Sequence, residues 1–201
     1  MKTLFKLITI GTFLFIGSLT ASIANEKNFK IIKLVNDEVI TNFDLEQRIK
    51  LLSTLNKINI NSENIDQYAG ELISLMVDEK LQNEQIKKYN ISITQKEVGE
   101  YIQKAYSNND TSQIVSILDQ NNINANILYE IIRIKIGWNE LTGRLFYRTA
   151  KVDPVDLENA MQQNPTLSKE RVNNILIQKQ IELRASKLLR DLKLEANIEN
   201  R

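Results

Sequence analysis

Residues 169–201 read KERVNNILIQKQIELRASKLLRDLKLEANIENR, and the arrangement of the whole chain turns on them. Ser168 in front of them is a helix-capping residue type, although Arg171 stands where a capping box would place Glu. Val172, Ile175, Leu176 and Leu183, with Ile177, Ile181, Ala185, Leu188 and Leu192, recur at three- and four-residue spacings. That period predicts a helix with a broad apolar stripe, not a strand. Glu170, Glu182, Lys187, Arg190, Asp191 and Lys193 fill most of the opposite face. The period stops after Leu194, and residues 196–200 alternate small or apolar with polar side chains, which predicts a short closing strand.

A single terminal strand needs a partner. The best candidate is far away in sequence, where residues 29–35 (FKIIKLV) and 38–41 (EVIT) flank Asn36-Asp37. Two β-prone runs around an Asn-Asp pair predict a hairpin. If the tail strand joins it, both ends of the chain close one small sheet around helical material.

Residues 1–24 read as a secretory leader. Lys2 and Lys6 precede an apolar run from Leu7 to Leu19, and Ser22-Ile23-Ala24 supplies small residues for cleavage after Ala24. The run is short of the roughly 20 residues that span a bilayer, so no stable membrane insertion is expected once the leader is gone. Its removal takes away two lysines and no acid, turning a formal charge of +1 into −1. A near-neutral body carries no footprint for nucleic acid. The chain has no cysteine and no histidine. An exported body without disulfides must be held by its core. Ser-His-Asp and Cys-His nucleophile systems and most zinc sites are also excluded.

Between the two ends the pattern is helical. Thr41 and Asp44 predict the cap of a first helix, carried by Phe43, Leu45, Ile49, Leu52 and Leu55 to about Asn56, and an Asn-rich loop follows. A second helix spans 65–89, with Ile65, Tyr68, Leu72, Leu75 (with Met76), Glu79 and Ile86 tracing its apolar side. Thr94-Gln95-Lys96-Glu97 is a capping box opening a third, with Val98, Tyr101, Ile102 and Ala105 inward, and Asn108-Asn109-Asp110 ends it. Thr111 caps a short fourth helix holding Ile114, Val115, Ile117 and Leu118. From Asn124 to about Thr149, Ile127, Ile131, Ile134, Trp138, Leu141 and Leu145 form one stripe, widened by Leu128, Ile132 and Ile136. A helix that apolar is buried on more than one side or presents a surface, and Trp138 reads as core. Asp153-Pro154 opens a last short helix to about Gln163.

No glycine-rich phosphate loop is present. Gly70, Gly99, Gly137 and Gly143, the glycines beyond the leader, all fall inside predicted helices. Carboxylates such as Asp78-Glu79 read as solvated faces, and Arg133, Lys135, Arg144 and Arg148 as a basic edge snorkelling around an apolar helix. Asn90-Ile91-Ser92 and Asn109-Asp110-Thr111 match the glycosylation pattern, a chance event in so Asn-rich a chain. No catalytic residue, cofactor site or metal site is assigned. What remains is shape: helices of unequal length tied at both ends leave grooves in which unfolded chains could bind through non-directional apolar contacts.

Residues 35–41 (VNDEVIT) with Asp44-Leu45 resemble the opening motif of the SurA-type periplasmic chaperones. Residues 171–179, 182–185 and 188–192 are similar to that family's C-terminal helix, and 196–201 to its closing strand; residues 71–152 follow the same domain more loosely. The resemblance implies a mostly α fold, a multi-helix SurA/trigger-factor-like peptide-binding core with a small antiparallel sheet joining hairpin and tail. Residues 25–201 would then be one domain: a helical region over 25–152, a short helix and linker over 153–168, and the C-terminal helix and strand over 169–201. Family members usually insert parvulin prolyl isomerase domains before the C-terminal helix. Here ten residues, 159–168, stand where a domain of roughly a hundred would be needed, and the histidines of its active site are missing. The implied activity is ATP-independent holding of unfolded outer-membrane proteins, or apolar and aromatic peptides, in the periplasm of a Gram-negative bacterium. The outer-membrane assembly machinery is a further implied partner. Tyr129, Phe146 and Tyr147, off the main stripe of the fifth helix, are the candidate client contacts. The other readings are a helical adaptor docking one fixed partner and, by family inheritance only, a prolyl isomerase.

Overall fold

Asn36 and Asp37 form the two-residue turn between β1 (Ile31–Val35) and β2 (Glu38–Thr41). Asn36 adopts φ of 51°, a left-handed conformation that asparagine tolerates better than most residues. The strands pair antiparallel, Val35 opposite Glu38 and Leu34 opposite Val39, with a slip in register between Ile31 and Lys33. This is a computed structural model, and it describes residues 29–106 and 111–201. The expected leader, the stop at Asn108-Asn109-Asp110 and the Asn109 glycosylation match lie outside the described residues.

The tail closes on the other edge of β1. In β3 (Ile198–Asn200), Ile198 stands opposite Val35, Glu199 opposite Leu34 and Asn200 opposite Lys33, giving the order β2-β1-β3. Asn36 N–H donates to the Asn197 carbonyl at 2.8 Å, and Asn197 N–H donates back to Asn36 Oδ1 at 3.0 Å. One asparagine thus serves both the hairpin turn and the closing strand. The predicted fold class holds: seven helices among the described residues and one small antiparallel sheet.

Local chemistry sets most helix ends. Thr41 Oγ1 accepts from Asp44 N–H while Asp44 Oδ2 accepts from Thr41 N–H, starting α1 (Asn42–Asn56). After the loop comes α2 (Ile65–Lys88). The same reciprocal box at Thr94 and Glu97 starts α3 (Gln95–Ala105), and it holds the Glu97 carboxyl below its usual range. Then come α4 (Thr111–Gln120) and α5 (Ala125–Phe146), the latter capped by Asn124 and running into a 3-10 turn at Tyr147–Thr149. Asp153 and Pro154 open α6 (Pro154–Gln163), and Ser168 caps α7 (Lys169–Glu195).

The broad apolar girth of α5 is explained by burial on two sides. Its first half packs Leu128 and Ile132 with Leu51 of α1, Val98 and Ile102 of α3, and Ile114 and Leu118 of α4. Its second half packs Ile134, Trp138 and Leu141 with Ile86 of α2 and Ala185 of α7, Trp138 being core as expected. A third cluster lies under the sheet, where Val35 and Ile40 meet Met76, Val77 and Leu81 of α2 with Leu189, Leu192 and Ile198 around them. Glu38 ties the sheet to α2 through Lys80 (3.0 Å) and Lys87 (3.3 Å), and its carboxyl sits below the usual range, chiefly because of Lys80.

Two interior contacts fix the packing further. Gln47, buried on α1, donates to the Asn122 carbonyl at 3.2 Å and accepts from Asn124 N–H at 3.0 Å, so a side chain of α1 satisfies the backbone of the α4–α5 turn. At Gly137 the backbones of α5 and α2 come close: a Cβ there would lie 2.9 Å from Ile86 Cδ1.

Several expected inward positions face out. Leu75 is exposed while Met76, Val77 and Leu81 turn inward, because α2 must serve both the sheet and α5. Ala105, at the end of α3, and Val115, in the middle of α4, are also exposed. The single stripe expected on α7 is instead two faces. Its C-terminal half turns Ala185, Leu188, Leu189 and Leu192 to the α2–α5 core. Its N-terminal half carries α6, joined to it by a five-residue loop. Ile175 and Leu183 belong to neither contact and are exposed.

The glycines give opposed expectations for thermal unfolding. Gly137→Ala brings its methyl against Ile86, which is almost wholly buried, and should destabilise by about 1–2 kcal/mol despite the better helix former. Gly70→Ala and Gly99→Ala meet open space and should each stabilise by about 0.5–1 kcal/mol.

Candidate peptide-binding groove

A groove follows α7 from its N-terminus to the middle of the core. Near the cap it is walled by Ser168, Arg171, Asn174, Ile175, Gln178 and Glu182, around a space of about 750 Å³. Toward α5 it continues between Asn139, Gly143, Arg144, Tyr147 and Arg148 on one wall and Gln178 and Ile181 on the other, about 490 Å³. Beneath that, Gln82, Trp138, Thr142, Ile181, Ala185 and Leu189 line about 380 Å³ between α2, α5 and α7. Gln178 borders all three spaces, so they form one continuous surface.

The groove exists because three helices end or diverge around α7. Asp153 N-caps α6, and the short loop 164–168 turns the chain back so that α6 can cover only the first turns of α7. At the far side Arg184 donates to Thr149 Oγ1 (2.5 Å) and to the Thr149 carbonyl (3.1 Å), which fixes the 3-10 end of α5 against α7. The polar atom of Thr142 is satisfied inside its own helix, donating to the Trp138 carbonyl at 2.8 Å. The lining is mixed: apolar at Trp138, Ile175, Ile181 and Leu189, with amides and guanidinium groups above them. Such a surface can hold extended polypeptide without selecting a sequence.

The three candidate contacts do not converge. Tyr147 is 58 % exposed and stands in the groove wall beside Arg144 and Arg148. Phe146 is half-buried next to it. Tyr129 is at the other end of α5, partly buried against the α1–α3–α4 cluster, and about 25 Å from Tyr147 by helical rise. Ile175 and Gln178 were not candidates on sequence grounds. Ile175 scores as one more apolar position of a helical stripe, and only the reach of α6 decides that it stays uncovered.

A smaller hollow, about 300 Å³, lies between α1, α2 and α5, with Met76, Ile127, Ile131 and Ile134 as its apolar wall and paired charges at its edge. Arg48, mostly buried, pairs with Glu79 across its mouth; burial pulls the guanidinium down to about 10, with the charge of Asp44 opposing. Arg133 reaches Asn83 at 2.6 Å and Glu130 at 2.8 Å. Each guanidinium here already has an acceptor, which makes this hollow a strut rather than a ligand site. Two more cations of the basic edge of α5 are engaged, Lys135 lying 5.4 Å from the Tyr101 ring centre and Arg144 pairing with Glu140, while Arg148 is exposed in the groove wall.

Among the described residues no group of three His, Cys, Asp or Glu side chains is placed to hold a metal ion, and no helix is long and apolar enough to cross a membrane. No protein-family model matches the chain, and no curated protein matches it significantly.

The strut assignment has a direct consequence. Glu79→Gln removes the carboxylate paired with the mostly buried Arg48, leaving it only the charge of Asp44, and should cost about 3 kcal/mol in chemical denaturation. The pair Arg48→Met with Glu79→Leu should recover most of that loss.

Proposed function

We propose that the chain is the core of an ATP-independent SurA-type chaperone, exported to the periplasm, that holds unfolded outer-membrane protein precursors. The observation that carries this reading is the groove along α7, with exposed Tyr147 and Ile175 in its walls and Trp138, Ile181 and Leu189 at its base. Supporting it is the closed sheet, which joins the hairpin and tail that resemble the two ends of the chaperone family's core. A mixed apolar and amide surface suits clients that share no sequence, since apolar contacts are non-directional and side-chain amides adapt to either a donor or an acceptor.

The reading assigns no catalysis to the chain. Only residues 164–168 lie between α6 and α7, where the family's isomerase domains would be inserted. Holding needs reversible binding alone: many weak contacts, each replaceable, keep aggregation-prone segments apart until they are handed on.

Light scattering from a urea-unfolded porin diluted into buffer tests this. Several-fold molar excess of the chain should suppress aggregation without nucleotide, and Tyr147→Ser with Ile175→Ser should weaken the suppression several-fold while leaving the melting temperature unchanged. No suppression by the unmodified chain would count decisively against the reading.

A further inference from the structure

The side of α7 turned away from the core carries a strip that the short α6 does not reach. Leu183, Lys187, Arg190 and Leu194 follow one another at spacings of four, three and four residues, which aligns them on one helical face. Leu183 is 58 % and Leu194 80 % exposed, the latter the most exposed large apolar side chain among the described residues. Lys187 and Arg190 are exposed and make no hydrogen bond or ion pair among the described residues. The Arg184–Thr149 contacts bring the end of α5 to this part of α7, adding Lys151, whose side chain is likewise without an ionic partner among the described residues, while Arg148 stands in the groove wall. From residue 179 to 195 the helix carries Lys179, Arg184, Lys187, Arg190 and Lys193 against Glu182, Asp191 and Glu195, and Lys193 is the one of these cations committed to an ion pair, with Asp78.

Shape decides what such a strip can meet. None of its four residues lines any groove described above, so it is the convex back of a helix. An extended peptide needs a groove or a strand edge, and a partner helix needs a continuous apolar seam, whereas here cations separate the two leucines. A plane of negative charge with an apolar layer beneath it fits both features.

We propose that this strip docks the chain reversibly on a surface of acidic phospholipid. Leu183 and Leu194 enter the interfacial layer, and Lys187 and Arg190, with Lys151 nearby, approach the lipid phosphates. The inference stands apart from the client groove, because the strip and the groove occupy different faces of α7.

Co-sedimentation of the full chain with vesicles tests it, using phosphatidylcholine alone and phosphatidylcholine with a third of phosphatidylglycerol, at low and high salt. Residues 1–24 are common to every variant, so the readout is the difference between variants. Each cation removed should lower partitioning on the acidic vesicles about fivefold, and Lys187→Gln with Arg190→Gln about twenty-five-fold. Leu183→Ser with Leu194→Ser should lower it as well, and high salt should erase the difference. All four positions are exposed, so unchanged circular dichroism and melting temperature are expected and exclude misfolding. Equal partitioning of wild type and the Lys187/Arg190 variant overturns the proposal. So does a preference for poly-glutamate over acidic vesicles that the same variant loses, or a concentration-dependent dimer that the leucine variant dissolves.

Discussion

The pairing of β1 with β3 is the constraint on which everything else depends. Val35 and Ile198 are 163 positions apart in the chain, yet they stand side by side, and Asn36 exchanges hydrogen bonds with Asn197 just beyond them. A three-residue strand has no stability of its own. It is held because α7 delivers it: Leu189, Leu192 and Ala196 pack on the same cluster as Val35 and Ile40, so the last turns of the helix and the strand after it are anchored by one apolar contact region. Closing so long a loop costs only slightly more entropy than closing a short one, because that cost grows with the logarithm of length. The helices between the two ends need no further tie to be enclosed.

That closure also shapes the surface. With its C-terminal half committed to α2, α5 and the sheet, α7 runs outward toward its N-terminus, where α6 folds back on it. The groove beside it and the bare strip behind it both follow from α6 being ten residues long. A longer α6 would cover more of α7; an inserted domain between the two helices would stand at the groove's open end. Uncovered apolar surface is ordinarily a liability, and here it stands beside amides and guanidinium groups.

Much of the fold was legible because short-range chemistry specified it. Thr41 with Asp44 and Thr94 with Glu97 are reciprocal caps that need nothing from the rest of the chain, and Asp153-Pro154 is a self-sufficient helix start. The alternation after Leu194 and the Asn-Asp turn likewise announced strands, and the expected pairing of the tail with the hairpin is the one the sheet shows. What was not legible depends on distance. Gln47 looks like any surface glutamine, and its role comes from backbone groups 75 and 77 residues away. Gly137 reads as a weak spot in a helix until Ile86 is placed against it. The apolar positions of α7 have one period but two partners, so Val172 is buried while Ile175, three residues later, is not. The same limit explains the candidate contacts: Tyr129, Phe146 and Tyr147 share a helix, but only packing against α1, α3 and α4 separates Tyr129 from the groove where Tyr147 stands.

The closed topology can be measured directly because the chain contains no cysteine. Lys33 and Asn200 face each other across β1 and β3, with Lys33 Nζ donating to Asn200 Oδ1 at 2.6 Å, and neither belongs to the core. Cross-strand neighbours of this kind lie within the Cα separation a disulfide requires. In Lys33→Cys/Asn200→Cys, mild oxidation should give a single intramolecular disulfide, a monomer, and a melting temperature above that of the reduced form. Free thiols that persist, or bonds formed only between chains, would contradict the account.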